Sequence, residues 1–512
     1  MKAHLMYRDR DVDLERDLPP CAQDVTQDLE LDRPLAAMAR GDDFLLTVAR
    51  RAVLFSLTDP EAIVYRQQIL RDCLEQGAVT REMYDLAVAA ITEERGVHAS
   101  FIRSPDAILH RSARVLEMFM EKLRALRRIA DEHASEFRSE GFTTLFDMLA
   151  GELDDDYFET VEAHLRQLRF RQGALISAQL GKGNTGAGYV LRKPRQQSWT
   201  ERLNFLDRSG YSFQIADRDE SGAKALRELR ERGIDLVADA LGQSTDHILS
   251  FFRMLRTELG FYVACLNLDE QLARKGEPTC LPEPLASGTP SLRCRGLYDV
   301  SLSLGVSDRV VGNDVNADGK SLVMITGANQ GGKSTFARSV GLAQLMMQAG
   351  MFVAAESLRA DVRSGVFTHF KREEDATMRS GKLDEELGRM SQVVDTTEPN
   401  ALLLCNESFA ATNEREGSEI ARQILRALLE TGTKVVFVTH MYDLAHGAYA
   451  RHSDAALFLR AEREADGGRT FRLVEGEPLP TSYGEDLYRR IFGTEPSGRP
   501  EAASSSAHEV AT

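Results

Sequence analysis

Thr326-Gly-Ala-Asn-Gln-Gly-Gly-Lys-Ser-Thr335 is the stretch on which the reading of this chain turns. It follows the apolar run Ser321-Leu-Val-Met-Ile-Thr326 and leads into Phe336-Ala-Arg-Ser-Val-Gly-Leu-Ala-Gln-Leu-Met-Met-Gln348, a strand pattern and then a helix pattern. Glycines let the backbone turn tightly enough for successive N–H groups to converge on a phosphate, and the helix adds its positive end to the same point. Lys333 then reaches the β- and γ-phosphates, and Ser334 offers its hydroxyl to Mg2+. The candidate nucleotide contacts are Gly327, Ala328, Asn329, Gln330, Gly331, Gly332, Lys333, Ser334 and Thr335, with ATP and Mg2+ as expected ligands. A plain glycine turn between strand and helix accounts for neither the lysine nor the hydroxyl.

Two further apolar runs carry polar residues at their carboxyl ends. Ala401-Leu-Leu-Leu-Cys405 ends in Asn406-Glu407, and Lys434-Val-Val-Phe-Val-Thr439 ends in His440, 33 residues beyond the glutamate. Strand tips of this kind face the phosphates in a phosphate-loop nucleotidase. Glu407 is placed to polarise an attacking water, Asn406 to hold water around Mg2+, and His440 to bond the γ-phosphate or the water. Glu407, His440 and Lys333 are therefore the candidate catalytic residues, with Ser334 and Asn406 as the metal-side pair.

The 512 residues exceed a single core and divide into several domains. Six scattered cysteines suggest neither a disulfide framework nor a zinc site, and the charged amino terminus lacks the apolar stretch of a secretory leader. A cytoplasmic protein without a membrane span is expected. The net charge of −16 requires any nucleic-acid surface to be a local concentration of Lys and Arg.

Along the chain, polar residues 1–40 read as an N-terminal arm. Residues 41–275 show helical spacing, interrupted by glycine-broken β-like runs over about 173–217, among them Tyr211-Ser-Phe-Gln-Ile215. The basic patch Arg192-Lys-Pro-Arg195 reads as a solvated edge or as a phosphate contact. Proline and glycine mark 276–296 as a linker. Alternating strands and helices make 297–494 an α/β nucleotidase domain with a mainly parallel sheet, and 495–512 a disordered tail.

Residues 297–490 resemble the ATPase domain of the MutS mismatch-repair family. Ile325 to Thr335 is similar to the family's Walker A, including Asn329; Gly350-Met-Phe-Val-Ala-Ala-Glu356, the signature-like Asp375-Ala-Thr-Met-Arg-Ser-Gly381, Thr439-His440 and Ser482-Tyr-Gly484 follow in order. Asp59-Pro-Glu-Ala-Ile-Val-Tyr-Arg-Gln-Gln-Ile-Leu70 looks like the start of the family's lever region. The resemblance implies an α/β P-loop ATPase of the ABC/MutS type preceded by a mainly α-helical lever domain with a small β insertion. It also implies a homodimer in which Ser380 and Gly381 of one subunit complete the other's nucleotide site.

The departures are specific. Asn406 replaces the family's Walker B aspartate, removing one negative charge from the magnesium shell and implying weaker metal binding or slow turnover. Val310 stands where the family carries an aromatic that stacks on adenine, which implies relaxed base selectivity. Phe119-Met-Glu121 has the spacing of the family's mismatch wedge but sits in a helical apolar pattern and reads as core. The family's mismatch-reading and connector domains, a full dimerisation element and the nuclease module of one subfamily are expected to be absent. The functional expectation is an ATP-dependent protein acting on irregular or mismatched DNA, with candidate DNA contacts at Lys182, Arg192, Lys193 and Arg195. The alternative is a slow ATP-switched dimeric scaffold for a protein partner.

Overall fold

The computed structural model describes residues 1–97, 104–170, 173–193, 214–372, 381–451, 454–464 and 468–479. The architecture is mixed, helical in one part and α/β in another. Packing divides it into two units: Met1–Pro19, Arg33–Arg274 and Met347–Phe352 in the first, and Pro20–Asp32, Lys275–Met346 and Val353 onward in the second.

The expected N-terminal arm contains two helices, α1 (Ala22–Asp28) and α2 (Asp32–Ala39), and its apolar side chains Leu5, Val25, Leu29, Leu35 and Met38 are buried. Its charged residues are spaced between these anchors, which is why composition alone reads as polar.

The first unit continues with α3 (Asp43–Leu54), α4 (Pro60–Glu75), α5 (Gly77–Gly96), α6 (Pro105–His133), α7 (Glu140–Glu152) and α8 (Asp155–Leu168). Most of these starts are written in the chain: Asp42, Asp59, Ser104, Ser139 and Asp154 accept backbone N–H bonds at the N-caps, and Pro60 and Pro105 take the first turns of α4 and α6. The strands β1 (Leu175–Leu180) and β2 (Gly186–Arg192) pair antiparallel around a tip at Lys182–Asn184. Residues 214–216 of the remaining β-like run are not strand, and 211–213 lie outside the described residues.

Helix α9 (Glu220–Arg274) is a single helix of 55 residues, about 80 Å at 1.5 Å per residue. Leu259 to Leu268 are buried without interruption, so this half is the axis around which α3 to α6 pack. Phe119 of α6 is fully buried with its ring 5.5 Å from that of Phe252, and Met120 is buried beside it, so these two residues are core while Glu121 is exposed. Also fully buried is Glu258, which accepts hydrogen bonds from the N–H groups of Leu5 and Met6. Burial pushes its carboxyl up to about 7.

In the second unit, β3 (Glu283–Leu285), β4 (Leu292–Leu297), β5 (Asn313–Asn316) and β7 (Ser357–Asp361) form a sheet in the order β3-β7-β4-β5. Two of these strands occupy the stretch expected as a linker. They are too short to stand out among its prolines and glycines. Between β4 and β5 lies α10 (Val300–Gly305).

The central sheet has β6 (Leu322–Thr326), β8 (Val366–Phe370), β9 (Leu402–Asn406), β10 (Lys434–Val438), β11 (Ala456–Arg463) and β12 (Arg469–Glu475) in the order β12-β11-β6-β10-β9-β8. The five strands from β11 to β8 run parallel, and β12 returns antiparallel on β11. Strands β6, β8 and β10 are buried throughout, as befits parallel strands covered on both faces. The helices of this unit are completed by α11 (Lys333–Gln348), α12 (Lys382–Thr396), α13 (Glu414–Glu430) and α14 (Tyr442–Tyr449). Strand β10 lies between β6 and β9, so the carboxyl ends of these three neighbours open on one edge.

Candidate functional site

Between β6 and α11 the chain crosses in six residues, Gly327 to Gly332. The turn needs left-handed backbone at Gln330 (φ +58°) and Gly332 (φ +89°). Two close approaches explain the glycines here. A Cβ on Gly331 would stand 2.6 Å from the Cβ of Ala461 in β11, and one on Gly332 would stand 3.2 Å from the carbonyl oxygen of Phe471 in β12. Arg469 of β12 also donates to Gln330 Oε1 at 2.5 Å, so this hairpin braces the loop from outside.

Lys333 opens α11 and is nearly buried. Its ammonium donates to the carbonyls of Gly327 (2.8 Å) and Ala328 (2.7 Å), which curls the loop around the charge. Burial pushes this amine down to about 8, against the pull of Glu407. Asn329, Gln330 and Ser334 lie along the more open rim.

Ser334 donates its hydroxyl hydrogen to Asn406 Oδ1 across 2.7 Å, joining the start of α11 to the tip of β9. The next residue, Glu407, has φ +54° and is held by its N–H on Val438 O at 2.9 Å. Its Oε1 lies 2.9 Å from His440 Nε2, and its Oε2 lies 3.7 Å from Lys371 Nζ. The His440 hydrogen bond, with the positive groups around it, holds the Glu407 carboxyl below the usual carboxylate range.

Sequence reasoning does not reach the support beneath this acid. Ser408 and His369 are buried, with His369 Nδ1 2.7 Å from Ser408 Oγ and Nε2 2.9 Å from the carbonyl oxygen of Glu386 in α12. Burial pushes His369 down to about 4, so the ring is neutral and has one N–H. The Glu386 carbonyl can only accept, so Nε2 carries that hydrogen, and the Ser408 hydroxyl has its one hydrogen between two acceptors at 2.7 Å, the His369 backbone carbonyl oxygen and Nδ1. Phe409, at φ +64°, stacks on the imidazole at 5.4 Å. The one signal in the chain is the single polar ring inside Val366-Phe-Thr-His-Phe370, with Lys371 directly after it.

The metal-side residues offer neutral oxygens, Ser334 Oγ and Asn406 Oδ1, with Glu407 one residue further along. Hard oxygen donors suit Mg2+ when substrate phosphates and water supply the remaining positions. Among the described residues no cluster of three His, Cys, Asp or Glu side chains could hold a metal by protein ligands alone. This donor set therefore fits a phosphate-bound Mg2+ and not a self-contained metal centre.

A cavity of about 300 Å³ adjoins the loop, lined among others by Val310, Val311, Gln330, Thr335, Phe336 and Phe471. Gly381 is the N-cap of α12. Ser380, Arg195 and Ser482-Tyr-Gly484 lie outside the described residues. Lys182 and Arg192 belong to the β1–β2 hairpin of the first unit and Lys193 follows it directly; all three are exposed, and Arg192 donates to Ser177 Oγ at 2.9 Å. No described helix is long and apolar enough to cross a membrane.

The chain matches two family models, MutS2 N-terminal domain over residues 58–275 and MutS domain V over residues 323–495. It is 24% identical to MutS protein homolog 4 of Mus musculus over 47% of this chain and 25% of that protein. It is 31% identical to endonuclease MutS2 of Thermus thermophilus over 33% of the chain and 23% of the relative. It is 27% identical to DNA mismatch repair protein MutS of Streptococcus mutans over 51% of the chain and 31% of the relative. The chain thus spans between 23% and 31% of the length of these curated relatives.

Proposed function

The chain is a member of the MutS family, and we propose that it is a DNA-acting ATPase whose nucleotide site is the loop 327–334 together with the tips of β9 and β10. The observation that carries this reading is the convergence of Ser334, Asn406, Glu407 and His440, from three neighbouring strand ends, on one rim beside a buried lysine.

In this reading the loop amides and the Lys333 ammonium bind the triphosphate, the ammonium exchanging its two carbonyl acceptors for phosphate oxygens. Ser334 and Asn406 hold Mg2+, which when bound neutralises charge on the β- and γ-phosphates. Glu407, kept ionised by His440, accepts a hydrogen bond from water and takes its proton as the oxygen attacks the γ-phosphorus. The bond to the bridging oxygen breaks, releasing ADP and inorganic phosphate. His440 holds the carboxylate in place and faces the transferred group.

Two copies joined through their ATPase units, each supplying the segment ending at Gly381, would form the working dimer. Nucleotide-dependent pairing then alters the hold of the helical unit on irregular or mismatched DNA in repair or recombination. The relatives, a DNA mismatch repair protein and an endonuclease among them, support a DNA role. The exposed Lys182, Arg192 and Lys193 supply local positive charge in an acidic chain.

Titration calorimetry of the full chain with Mg-ATP tests the nucleotide part: binding is expected, and Lys333→Ala should abolish most of it. Unchanged uptake in that variant would sink the proposal. For DNA, binding of a labelled branched duplex should weaken steeply with salt. Replacing Lys182, Arg192 and Lys193 by alanine should reduce the salt slope by about 1 for each phosphate no longer neutralised. A salt-independent interaction with a protein, and none with DNA, would instead mark a scaffold.

A further inference from the structure

We propose that Lys371 distinguishes a bound triphosphate from a diphosphate, its ammonium leaving Glu407 to bind an oxygen of the γ-phosphate. The inference rests on the reading of 327–334 as the phosphate site and adds a fourth strand tip to it. Strand β8 is the neighbour of β9, with Phe370 opposite Asn406, and the Lys371 N–H donates to the Asn406 carbonyl oxygen at 2.9 Å. Lys371 therefore leaves the sheet beside the tip that carries Asn406 and Glu407. The backbone around it is pinned on both sides. Arg389 of α12 donates to the Phe370 carbonyl at 3.0 Å, and the Arg372 guanidinium bonds Asp24 at 2.6 Å.

The side chain is held far less firmly. Its ammonium stands 3.7 Å from Glu407 Oε2, beyond hydrogen-bond length, and the two side chains are 39% and 29% exposed. A loose, solvated ion pair of this kind contributes little to stability and is readily exchanged for a stronger one. A terminal phosphate offers more charge and several acceptor oxygens. On its other side Glu407 draws on the Lys333 ammonium, and His440 occupies its second oxygen, so among the described residues two lysines share this one carboxylate. Asn406 adds no counter-charge, and the rim keeps positive charge that Glu407 alone does not balance. A water bridging Glu407 to the γ-phosphorus puts that phosphate one water away from the carboxylate. The flexible four-carbon stem of lysine lets the ammonium cover such a step while the backbone stays fixed. ADP ends at the β-phosphate and leaves Lys371 on Glu407. The γ-phosphate of ATP draws it off and frees Oε2 for the attacking water.

Calorimetry on the full chain with Mg-ADP and with the Mg complex of the non-hydrolysable β,γ-imido analogue of ATP separates the γ-phosphate from the rest of the site. Lys371→Ala should weaken binding of the analogue roughly tenfold and leave ADP binding unchanged. Lys371→Arg, which keeps the charge, should retain most of the parent's affinity for the analogue. Undiminished analogue binding in Lys371→Ala would overturn the assignment, with the nucleotide reading left intact. Equal weakening of both ligands would overturn it too, since a merely structural role does not tell them apart. If the parent chain bound neither ligand, the nucleotide reading would fall and this inference with it.

Discussion

Ser334 Oγ and Asn406 Oδ1 lie 2.7 Å apart, hydroxyl to amide oxygen, at the point where the phosphate loop meets the second strand tip. The amide accepts this hydrogen where a carboxylate could also do so, but it brings no charge to a dication. Asn406→Asp should therefore lower the Mg2+ concentration that half-saturates hydrolysis, by roughly tenfold for one added charge–charge contact, and raise turnover. Metal titration of the ATPase rate checks it; an unchanged Mg2+ requirement would count against Asn406 as a metal-side residue.

Glu407→Gln keeps the shape of the side chain and removes the proton acceptor. Hydrolysis should fall by about a hundredfold or more, with Mg-ATP affinity close to that of the parent. Single-turnover rates alongside calorimetry distinguish this from a binding defect, which would show instead as lost affinity.

His440→Ala removes the main influence holding the Glu407 carboxyl low. Because the working form is ionised, the acid limb of the pH–rate profile should move upward in the variant, so activity is lost at a higher pH than in the parent. A limb that stays where it was would argue that Glu407 is not the group titrating.

The strand-tip residues are legible in the sequence because buried parallel strands are written as apolar runs, and a polar residue ending such a run is conspicuous. Asn406, Glu407 and His440 all carry that signal. His369 does not, since its partners Ser408 and Glu386 are 39 and 17 residues away and only folding shows that they meet. Phe471 is hidden for a similar reason: its place beside the loop depends on Asn313, 158 residues earlier. The sheet containing β3 and β4 is lost in its proline- and glycine-rich composition, and α1 and α2 in the polar residues that surround their buried anchors.

Glu258 and His369 should give the two units opposite responses to pH. The folded pKa of Glu258, about 7, exceeds its ordinary 4.5, so the stability it confers is complete below about pH 4.5 and is lost as pH rises through 7. Glu258→Gln retains an oxygen that can accept from Leu5 and Met6, and should flatten that decline. Chemical denaturation of parent and variant between about pH 4 and 8 checks it; parallel curves would refute an ionising Glu258.

His369 works in the other direction. Its folded pKa, about 4, lies below the ordinary 6.5, so its stability contribution is present above pH 6.5 and disappears as pH falls toward 4. His369→Phe should remove that acid sensitivity while costing on the order of 1–3 kcal/mol at neutral pH, because the Glu386 carbonyl loses its ring donor, while Ser408 keeps the backbone carbonyl at position 369. Its turnover should fall more than its ATP affinity, since the ring no longer bridges Ser408 to Glu386 beneath Glu407.

The left-handed backbone at Glu407 implies a trade between durability and work. Asparagine or glycine adopts that conformation at less expense than glutamate, so selection for thermal robustness alone would favour replacing the acid at this position. A glutamate there is the costlier choice for the fold alone, in keeping with the role in hydrolysis proposed for it.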